Sequence, residues 1–297
     1  MYHGLLFDGA GQCVEVPGQR NIPPTCRVTS FPTAERGTLV WVWVGDPALA
    51  DAALIPIPAN LDTGSWQMRH AHCDLNANYM LMNDNLADMS HVAYLHEATF
   101  GAGDTRIAQT HPTVTALERG IRIERWLADR ERVESWLPDG SRAPTESMQD
   151  LWLSYDLIAP GVFVMRTEIH AAGTARSCGY RIPSMPALHS NLNIQAVTPV
   201  SSGHSRHFFA LGPLAAETVK DTSLPDVMFR IMLRGFEEDR RMLEAQERNL
   251  ARWPIDPSSA IRHDRGVYLL RQIITRLLAL ENPAKSVSPS AIPLTAP

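Results

Sequence analysis

Hydrophobic and polar positions alternate over much of the chain, in short runs separated by turn residues. A first hairpin is marked by Asp8-Gly9 and Gly11, and the run VWVWV at 40–44 predicts a strand buried on both faces or at a domain contact. Three further pairs of β-type runs turn near 119–120, 160–161 and 201–204. Hairpins in series predict an antiparallel meander rather than a parallel sheet with crossover helices.

Helical spacing of apolar residues follows in three other stretches, 75–96, 226–252 and 267–280. The second has an apolar stripe made of Phe229, Met232, Phe236, Leu243 and Leu250. Asp239 falls within this stripe, whereas Glu237 and Glu238 are expected to point elsewhere. A carboxylate on a buried face is costly unless it is paired or bound to a metal, so Asp239 is either a metal ligand or the partner of Arg240.

The first helical stretch contains NDNLADMSHVAYLH at 83–96, in which Asp88, His91 and His96 form the pattern D-x2-H-x4-H and Asn85 precedes the aspartate by three residues. Residues at i and i+5 are separated by about 140° on an ideal helix. For both imidazoles to reach one ion, the helix must break or widen into a π-type turn between them. The alternative is a set of polar residues on the exposed side of an amphipathic helix.

Two histidines and one carboxylate make the facial triad of non-haem iron(II) oxygenases, which leaves coordination positions open for oxygen. With Asp239 as the acid, His91 and His96 would complete such a site.

Composition narrows the functional classes. The chain has 297 residues, 44% of them hydrophobic, and a formal net charge of -5 with no basic cluster, so a nucleic-acid partner is not expected. There is no apolar run of membrane-spanning length and no secretory signal peptide. Four cysteines without C-x-x-C pairing fit a reduced cytoplasm, which is the expected location.

Four stretches follow one another along the chain: YHGLLFDGAGQCVEVPGQ, the tryptophan strand at 40–44, NLADMSHVAYLH and EEDRRMLEAQ. This order resembles the oxygenase (alpha) component of Rieske non-haem iron aromatic oxygenases, of the vanillate O-demethylase type, over nearly the whole chain. The resemblance implies that His91, His96 and Asp239 bind a mononuclear Fe(II). It also implies that Asp88 links this iron to the Rieske cluster of a neighbouring subunit in a head-to-tail homotrimer, and that Asn85 lies near the iron.

The Rieske cluster itself is where the sequence departs from that family. A Rieske [2Fe-2S] centre needs two cysteines and two histidines, supplied in the family as C-x-H and a later C-x2-H. Tyr2-His3-Gly4 matches the end of the second motif, so His3 is the one remaining ligand of four, and Cys13 and Cys26 have the wrong spacing to substitute. We expect a chain truncated within its Rieske domain that does not assemble the cluster, so its own turnover is in question.

The expected fold class is α+β. The remnant of a small all-β Rieske domain would occupy 1–47, a catalytic domain 48–282, and a disordered tail 283–297. The resemblance implies a helix-grip catalytic domain, in which an antiparallel sheet wraps over a long C-terminal helix.

The expected function is that of a terminal oxygenase that uses O2 to O-demethylate or hydroxylate an aromatic acid such as vanillate. Electrons would come from a separate NAD(P)H reductase, since no G-x-G-x-x-G fingerprint occurs here. Gln195 is expected to bind substrate, with a solvent-facing glutamine as the alternative.

Three other functions stay open. The first is monooxygenation of another aromatic substituent, such as the methyl group of toluene sulfonate, or N-demethylation. The second is a metal-free helix-grip carrier of hydrophobic ligands. The third is a zinc hydrolase, which is weaker because no general base is placed as in H-E-x-x-H.

Overall fold

The computed structural model describes residues 3–58, 61, 63–101, 104–136, 142–219, 222–253 and 261–281. It divides into two compact units, Met1–Leu61 and Asp62–Pro297. The division falls later than the boundary expected after Pro47, because the chain beyond Pro47 folds back on the first unit. Arg36 Nη1 donates to the carbonyl of Ala52 at 3.0 Å, and Gly37 lies against the Ile57 side chain. The Rieske origin of this unit stays a prediction, and the expected tail at 283–297 lies outside the described residues.

The first unit begins with the predicted hairpin, which is confirmed. Strand β1 (Leu6–Phe7) pairs antiparallel with β2 (Cys13–Glu15). The Asp8 carboxylate accepts from the backbone N–H of Ala10 at 3.0 Å and of Gln12 at 2.8 Å, which holds the turn closed. Gly11 has φ +80°, and a Cβ there would lie 2.2 Å from the carbonyl oxygen of Val28, so only glycine fits.

The tryptophan strand pairs with a single neighbour. Strands β3 (Thr33–Arg36) and β4 (Leu39–Val42) form a two-stranded antiparallel sheet. Val40 and Val42 are exposed, whereas Trp41 is half-buried, so the predicted burial on both faces is wrong. Side chains alternate between the two faces, as in any strand. The indole N–H groups donate to nearby carbonyls, that of Trp41 to Arg36 O and that of Trp43, just after the strand, to Asp46 O, both at 2.9 Å.

The second unit is built on a seven-stranded antiparallel sheet, and the predicted meander is confirmed. The strands are β5 (Arg69–Leu75), β6 (Thr113–Ala116), β7 (Gly120–Trp136), β8 (Arg142–Ile158), β9 (Val162–Ala171), β10 (His189–Ser201) and β11 (His204–Pro213). Their order in the sheet is β5-β11-β10-β9-β8-β7-β6. Six consecutive strands are therefore neighbours in space, and β5 forms the edge of the sheet beside β11.

Helices cover the core of this sheet. They are α1 (Tyr79–Ala87), α2 (Val92–Leu95), α3 (Arg106–Gln109), α4 (Thr174–Ser177), α5 (Leu224–Leu250) and α6 (Arg265–Glu281), with 3-10 turns at Met89–His91, Ala215–Val219 and Arg262–Asp264. The first unit has two further 3-10 turns, Pro47–Leu49 and Ala52–Leu54. Side chains of α1, α5 and α6 share one buried cluster with the sheet, including Leu81, Leu157, Leu243 and Leu270. The α+β class, with an antiparallel sheet over a long C-terminal helix, is confirmed. No helix in the described ranges is long and apolar enough to cross a bilayer.

The stretch 75–96 does not form the continuous helix that its pattern predicts. Leu75 ends β5, and α1 begins only after Asn78, whose side-chain oxygen accepts from Met80 N at 2.9 Å. The helix stops again at Asp88, which has the extended dihedrals φ -123° and ψ 102°. This break at Asp88 separates α1 from the segment that contains His91 and His96.

Candidate metal centre and its cavity

Asp88 separates α1 from the turn that carries both histidines. Its carboxylate accepts from the backbone N–H of Ser90 and from the Ser90 hydroxyl, both at 2.8 Å, and so caps the 3-10 turn Met89–His91. The chain continues through α2 and leaves helical geometry at His96. Of the two expected alternatives, a break or a π-type turn, the described residues show a break: the helix is interrupted at Asp88, before His91, and again at His96.

The two histidines and Asp239 come together at one point. His91 Nε2 lies 3.6 Å from Asp239 Oδ1, and His96 Nε2 lies 3.2 Å from the same oxygen. One candidate ligand atom from each of the three side chains lies within 4.8 Å of the others. This separation brings all three within reach of a single ion, since the usual metal–nitrogen and metal–oxygen distances are about 2.0–2.2 Å. Their assignment as iron ligands stays a prediction.

Hydrogen bonds behind the rings fix which nitrogen faces the site. His91 Nδ1 donates to the backbone carbonyl of Asp88 at 2.6 Å, and His96 Nδ1 donates to Glu238 Oε2 at 2.8 Å. Both partners are acceptors, so each ring carries its proton on Nδ1 when neutral. The lone pairs of both Nε2 atoms are thereby turned towards Asp239, in the arrangement that metal-binding histidines usually show.

This donor set fits a cation. His96 Nε2 is buried and makes no hydrogen bond of acceptable geometry with any described residue, although a carboxylate oxygen lies 3.2 Å away. Two nitrogen lone pairs and a carboxylate facing one another are mutually repulsive without a positive charge between them. Imidazole and carboxylate ligands suit iron(II) and other divalent transition metals.

The pKa values of the two rings reflect the same charges. Burial lowers the pKa of His91, and the nearby Asp239 carboxylate offsets this only in part, so the ring stays neutral near pH 7. Burial also opposes protonation of His96, but the Asp239 and Glu238 carboxylates on either side outweigh it and raise its pKa. The two carboxylates thus make the electrostatic potential around His96 negative, which favours a cation between His96 and Asp239.

Asn85 also contacts the triad, as expected. Its Nδ2 donates to Asp239 Oδ1 at 2.9 Å and lies 3.3 Å from His91 Nε2. The proposed ion pair between Asp239 and Arg240 does not form. Arg240 instead contacts two other carboxylates of α5, Glu237 at 2.7 Å and Glu244 at 3.1 Å. Among the described residues, the ion-pair partners of Asp239 are therefore His91 and His96.

Glu238 is the site residue that the sequence analysis missed. It was expected to point away from the apolar stripe, but Oε2 accepts from His96 Nδ1 and from the Thr99 hydroxyl, each at 2.8 Å. The prediction was wrong because the loop after α2 reaches over the edge of α5 and meets the position next to Asp239. Periodicity along α5 alone carries no signal of that approach.

A cavity of about 270 Å³ opens beside the triad. Most of its wall is apolar, formed by side chains such as Leu151, Leu153, Phe163, Met165, Ile231 and Phe236. Gln195 lines this cavity and is only 2% exposed, so the alternative of a solvent-facing glutamine is wrong. Its Oε1 accepts from His207 Nε2 at 2.7 Å. Burial lowers the pKa of His207 to about 4, against the pull of the Asp239 charge, so the ring is a neutral donor.

Two expected roles stay predictions. The carboxylate of Asp88 caps its own turn, and it is the backbone carbonyl of Asp88 that contacts the His91 ring. Its role as a link to a cluster in another subunit is untested. His3 is exposed in the first unit, and its role as a Rieske cluster ligand is likewise untested.

Comparison with known proteins places the chain in a family. The family described as Vanillate O-demethylase oxygenase C-terminal domain matches residues 75–280. The toluene-4-sulfonate monooxygenase system iron-sulfur subunit of Comamonas testosteroni is 33% identical, over 95% of this chain and 79% of its own length. A vanillate O-demethylase oxygenase subunit from a Pseudomonas species is 30% identical, over 96% of this chain and 84% of its own length.

Structural comparison agrees at the level of the fold. The crystal structure of dicamba monooxygenase bound to dicamba superposes with a TM-score of 0.75 and 24% identity, covering 95% of this chain and 79% of that one. The names of the relatives denote components of multi-component monooxygenase systems, so the resemblance and the expected enzyme class are confirmed. The chain belongs to the Rieske non-haem iron oxygenases, as an oxygenase component with a catalytic domain of the vanillate O-demethylase type.

Proposed function

We propose that this chain is the terminal oxygenase of an aromatic-degrading system and that it O-demethylates or hydroxylates an aromatic acid such as vanillate. One observation carries the proposal. Two imidazole Nε2 atoms and one carboxylate oxygen converge within 4.8 Å at the wall of a largely apolar cavity of about 270 Å³. Three protein ligands leave coordination positions open, and the cavity can hold a small aromatic ring beside them.

The roles of the protein groups follow from their contacts. His91, His96 and Asp239 would hold a mononuclear Fe(II), and the bound ion supplies the activation of O2. Asn85 donates to Asp239 Oδ1, which fixes the orientation of that carboxylate. Glu238 and the carbonyl of Asp88 keep both rings in the Nδ1–H form, so that Nε2 is free to bind.

The substrate chemistry balances as a monooxygenation. An aryl methyl ether, O2, two electrons and two protons give a phenol, formaldehyde and water, because hydroxylation of the methoxy carbon yields a hemiacetal that releases formaldehyde. Relatives named for vanillate and dicamba O-demethylation support the methyl ether as the reacting group. The relative named for toluene-4-sulfonate supports hydroxylation of an aryl methyl group as the second outcome.

We propose a separate NAD(P)H reductase and a [2Fe-2S] Rieske cluster that delivers electrons from a neighbouring subunit of a homotrimer, with Asp88 between the two centres. The support in this chain is local: Asp88 stands at the helix break and its carbonyl is bonded to the ring of His91. A bond of this kind couples the candidate iron ligand to the chain segment around Asp88.

Hydrogen peroxide provides a test of the catalytic site that does not depend on electron delivery. Peroxide is O2 that already carries the two electrons and two protons of the reaction, so no reductase is needed. The Fe(II)-loaded chain, mixed with peroxide and vanillate, is expected to release formaldehyde and 3,4-dihydroxybenzoate in equal amounts. Toluene-4-sulfonate, run in parallel, would instead give the hydroxymethyl product if methyl hydroxylation is the native reaction. Full iron occupancy with neither product would contradict the proposal.

A further inference from the structure

Two cysteines of the first unit lie opposite each other on neighbouring backbone segments. Gln12 and Arg27 form an antiparallel bridge. In such a pairing the residue after one partner faces the residue before the other, so Cys13 is opposite Cys26. The backbone N–H of Cys13 donates to the carbonyl of Cys26 at 3.1 Å, in agreement with that register. The segment that contains Cys26 therefore lies beside β2.

The separation expected for such a pair is within reach of a disulfide. Directly opposite residues of an antiparallel pair have Cα atoms about 4.5–5.5 Å apart, and disulfides span Cα separations of about 4.4–6.8 Å. The two Cβ atoms lie on the same face, about 4.5–5.5 Å apart, whereas a disulfide prefers about 3.5–4.5 Å. The bond between the two sulfurs can therefore close after a small approach of the segments, under some strain.

The two thiols also differ in access and influence each other. The pKa of the Cys26 thiol is raised above its ordinary value, chiefly by hydrogen bonding to the Cys13 side chain. Both cysteines are free thiols, so both are available for a new bond. Cys13 is 4% exposed whereas Cys26 is half-buried, so an oxidant from solution reaches Cys26 first. The pair thus combines an accessible thiol with a sheltered one beside it, the arrangement typical of redox-sensitive cysteines.

The chain between the two cysteines is the part that a disulfide would restrain. Residues 14–25 are exposed except for Val16 and Ile22, which are half-buried. A loop with so little buried surface opens easily, and its base is the backbone contact between Cys13 and Cys26. A disulfide at this base would close the loop covalently and restrict its open forms.

We propose that Cys13 and Cys26 form a redox modification site, at which a small disulfide such as oxidised glutathione converts the two thiols into a protein disulfide. The Cys26 thiolate attacks one sulfur of the oxidant, forms a mixed disulfide and releases one thiol. The Cys13 thiolate then attacks the Cys26 sulfur and releases the second thiol. The protons of the two cysteines end on the two released thiols, so two protein thiols and one disulfide become one protein disulfide and two thiols.

The surroundings decide which form of the pair is present. Where glutathione is kept reduced, the pair rests as two thiols, and the strain expected in the closed form makes that disulfide easy to reduce. The disulfide therefore forms when the thiol pool becomes oxidised. The site uses no group of the candidate metal centre, so the inference goes beyond the proposed function and does not depend on it.

Tryptic mapping tests the inference on the unmodified chain. The chain is incubated with excess oxidised glutathione, alkylated to block the remaining thiols, and cleaved without reduction. Arg20 and Arg27 are the first two trypsin sites, so Cys13 and Cys26 fall on separate peptides, 1–20 and 21–27. These peptides are expected to be recovered joined, and to be recovered apart when reduced glutathione is added in excess before alkylation. Recovery of the two peptides apart in the oxidised sample, with or without attached glutathione, would overturn the inference.

Single variants then assign the order of the two steps. In Cys13→Ala no second thiol can displace glutathione from Cys26, so a glutathione adduct is expected to accumulate there. In Cys26→Ala the buried Cys13 is expected to stay reduced. Cys178→Ser is the matched control, because it removes a half-buried thiol of the second unit and should leave the joined peptides unchanged. An adduct on Cys13 in Cys26→Ala, or loss of the joined peptides in Cys178→Ser, would overturn the assignment.

Discussion

Glu238 Oε2 lies 2.8 Å from Nδ1 of His96, while the opposite ring nitrogen of His96 faces Asp239 Oδ1 at 3.2 Å. Glu238 and Asp239, which are consecutive in α5, thus contact the two nitrogens of one imidazole. The Glu238 carboxylate holds the ring proton on Nδ1, and the Asp239 carboxylate lies beside the lone pair of Nε2. The ring is 1% exposed, so both interactions take place away from bulk water and are weakly screened.

The Glu238 contact predicts a role in iron affinity. Glu238→Gln removes the negative charge behind His96 and should weaken Fe(II) binding by about 10- to 100-fold, as is usual for partners of metal-bound histidines. Fe(II) affinity measured by chelator competition without oxygen is the readout. Glu237→Gln is the matched control, because Glu237 contacts Arg240 and Arg241 instead of the site. Equal losses in both variants would mean that the effect is one of general charge.

Asp239 is predicted to be indispensable for iron retention. Asp239→Asn has the same shape but lacks the charge that two neutral imidazoles require beside a divalent ion, so bound iron should be lost while the fold remains. Iron content per chain and far-ultraviolet circular dichroism report these separately. Asp226→Asn on the same helix, where the carboxylate forms an exposed ion pair with Arg69, should keep its iron. Unchanged iron in Asp239→Asn would assign the ligand elsewhere.

Much of the fold and part of the site could be predicted from local pattern. The hairpins and α5 follow from alternation and helical spacing, which short-range contacts enforce. Asp239 was identifiable because a carboxylate within an apolar stripe is an anomaly visible in the sequence itself. His91 and His96 followed from their proximity to each other along the chain.

The rest depends on contacts between distant parts of the chain. Glu238 and His96 are 142 positions apart, and nothing in the sequence near either residue indicates that they meet. The helix break at Asp88 depends on a cap made with Ser90, which competes with continuation of the helix in a way that apolar periodicity does not register. Cys13 and Cys26 become neighbours because the chain folds back beside β2, which the spacing of the two cysteines does not indicate.

The lowered pKa of His207 is expected to reduce the stability of the folded chain in mild acid. Its pKa in the folded chain is about 4, below the ordinary 6.5, because burial disfavours the charged ring more than Asp239 favours it. Between these values the unfolded chain binds the proton and the folded chain does not. The free energy of unfolding should therefore fall as pH drops from 6.5 to 4, by up to about 3 kcal/mol from this group.

Urea denaturation across that pH range measures the effect. His207→Asn keeps an N–H donor near Gln195 but cannot titrate, so its stability should depend less steeply on pH, whatever its absolute value. An unchanged slope in His207→Asn would show that other groups cause the loss.

Gly235 of α5 is predicted to be required for the packing behind the site. A Cβ at this position would lie 2.1 Å from two ring carbons of Phe100, and the Phe100 ring packs on His96 with centroids 4.3 Å apart. Alanine is the better helix former by about 1 kcal/mol, so helix propensity alone predicts that Gly235→Ala stabilises the chain. The clash reverses the sign, since forced displacement in a packed core costs about 1–3 kcal/mol. We expect a lower free energy of unfolding and, because Phe100 must move against His96, weaker Fe(II) binding.

Gly203→Ala is the control, because a Cβ there would have no neighbour nearer than 3.9 Å. A double-mutant cycle with Phe100→Leu tests the mechanism: the smaller side chain should recover part of the stability lost in Gly235→Ala, whereas additive losses would show that the two positions do not interact.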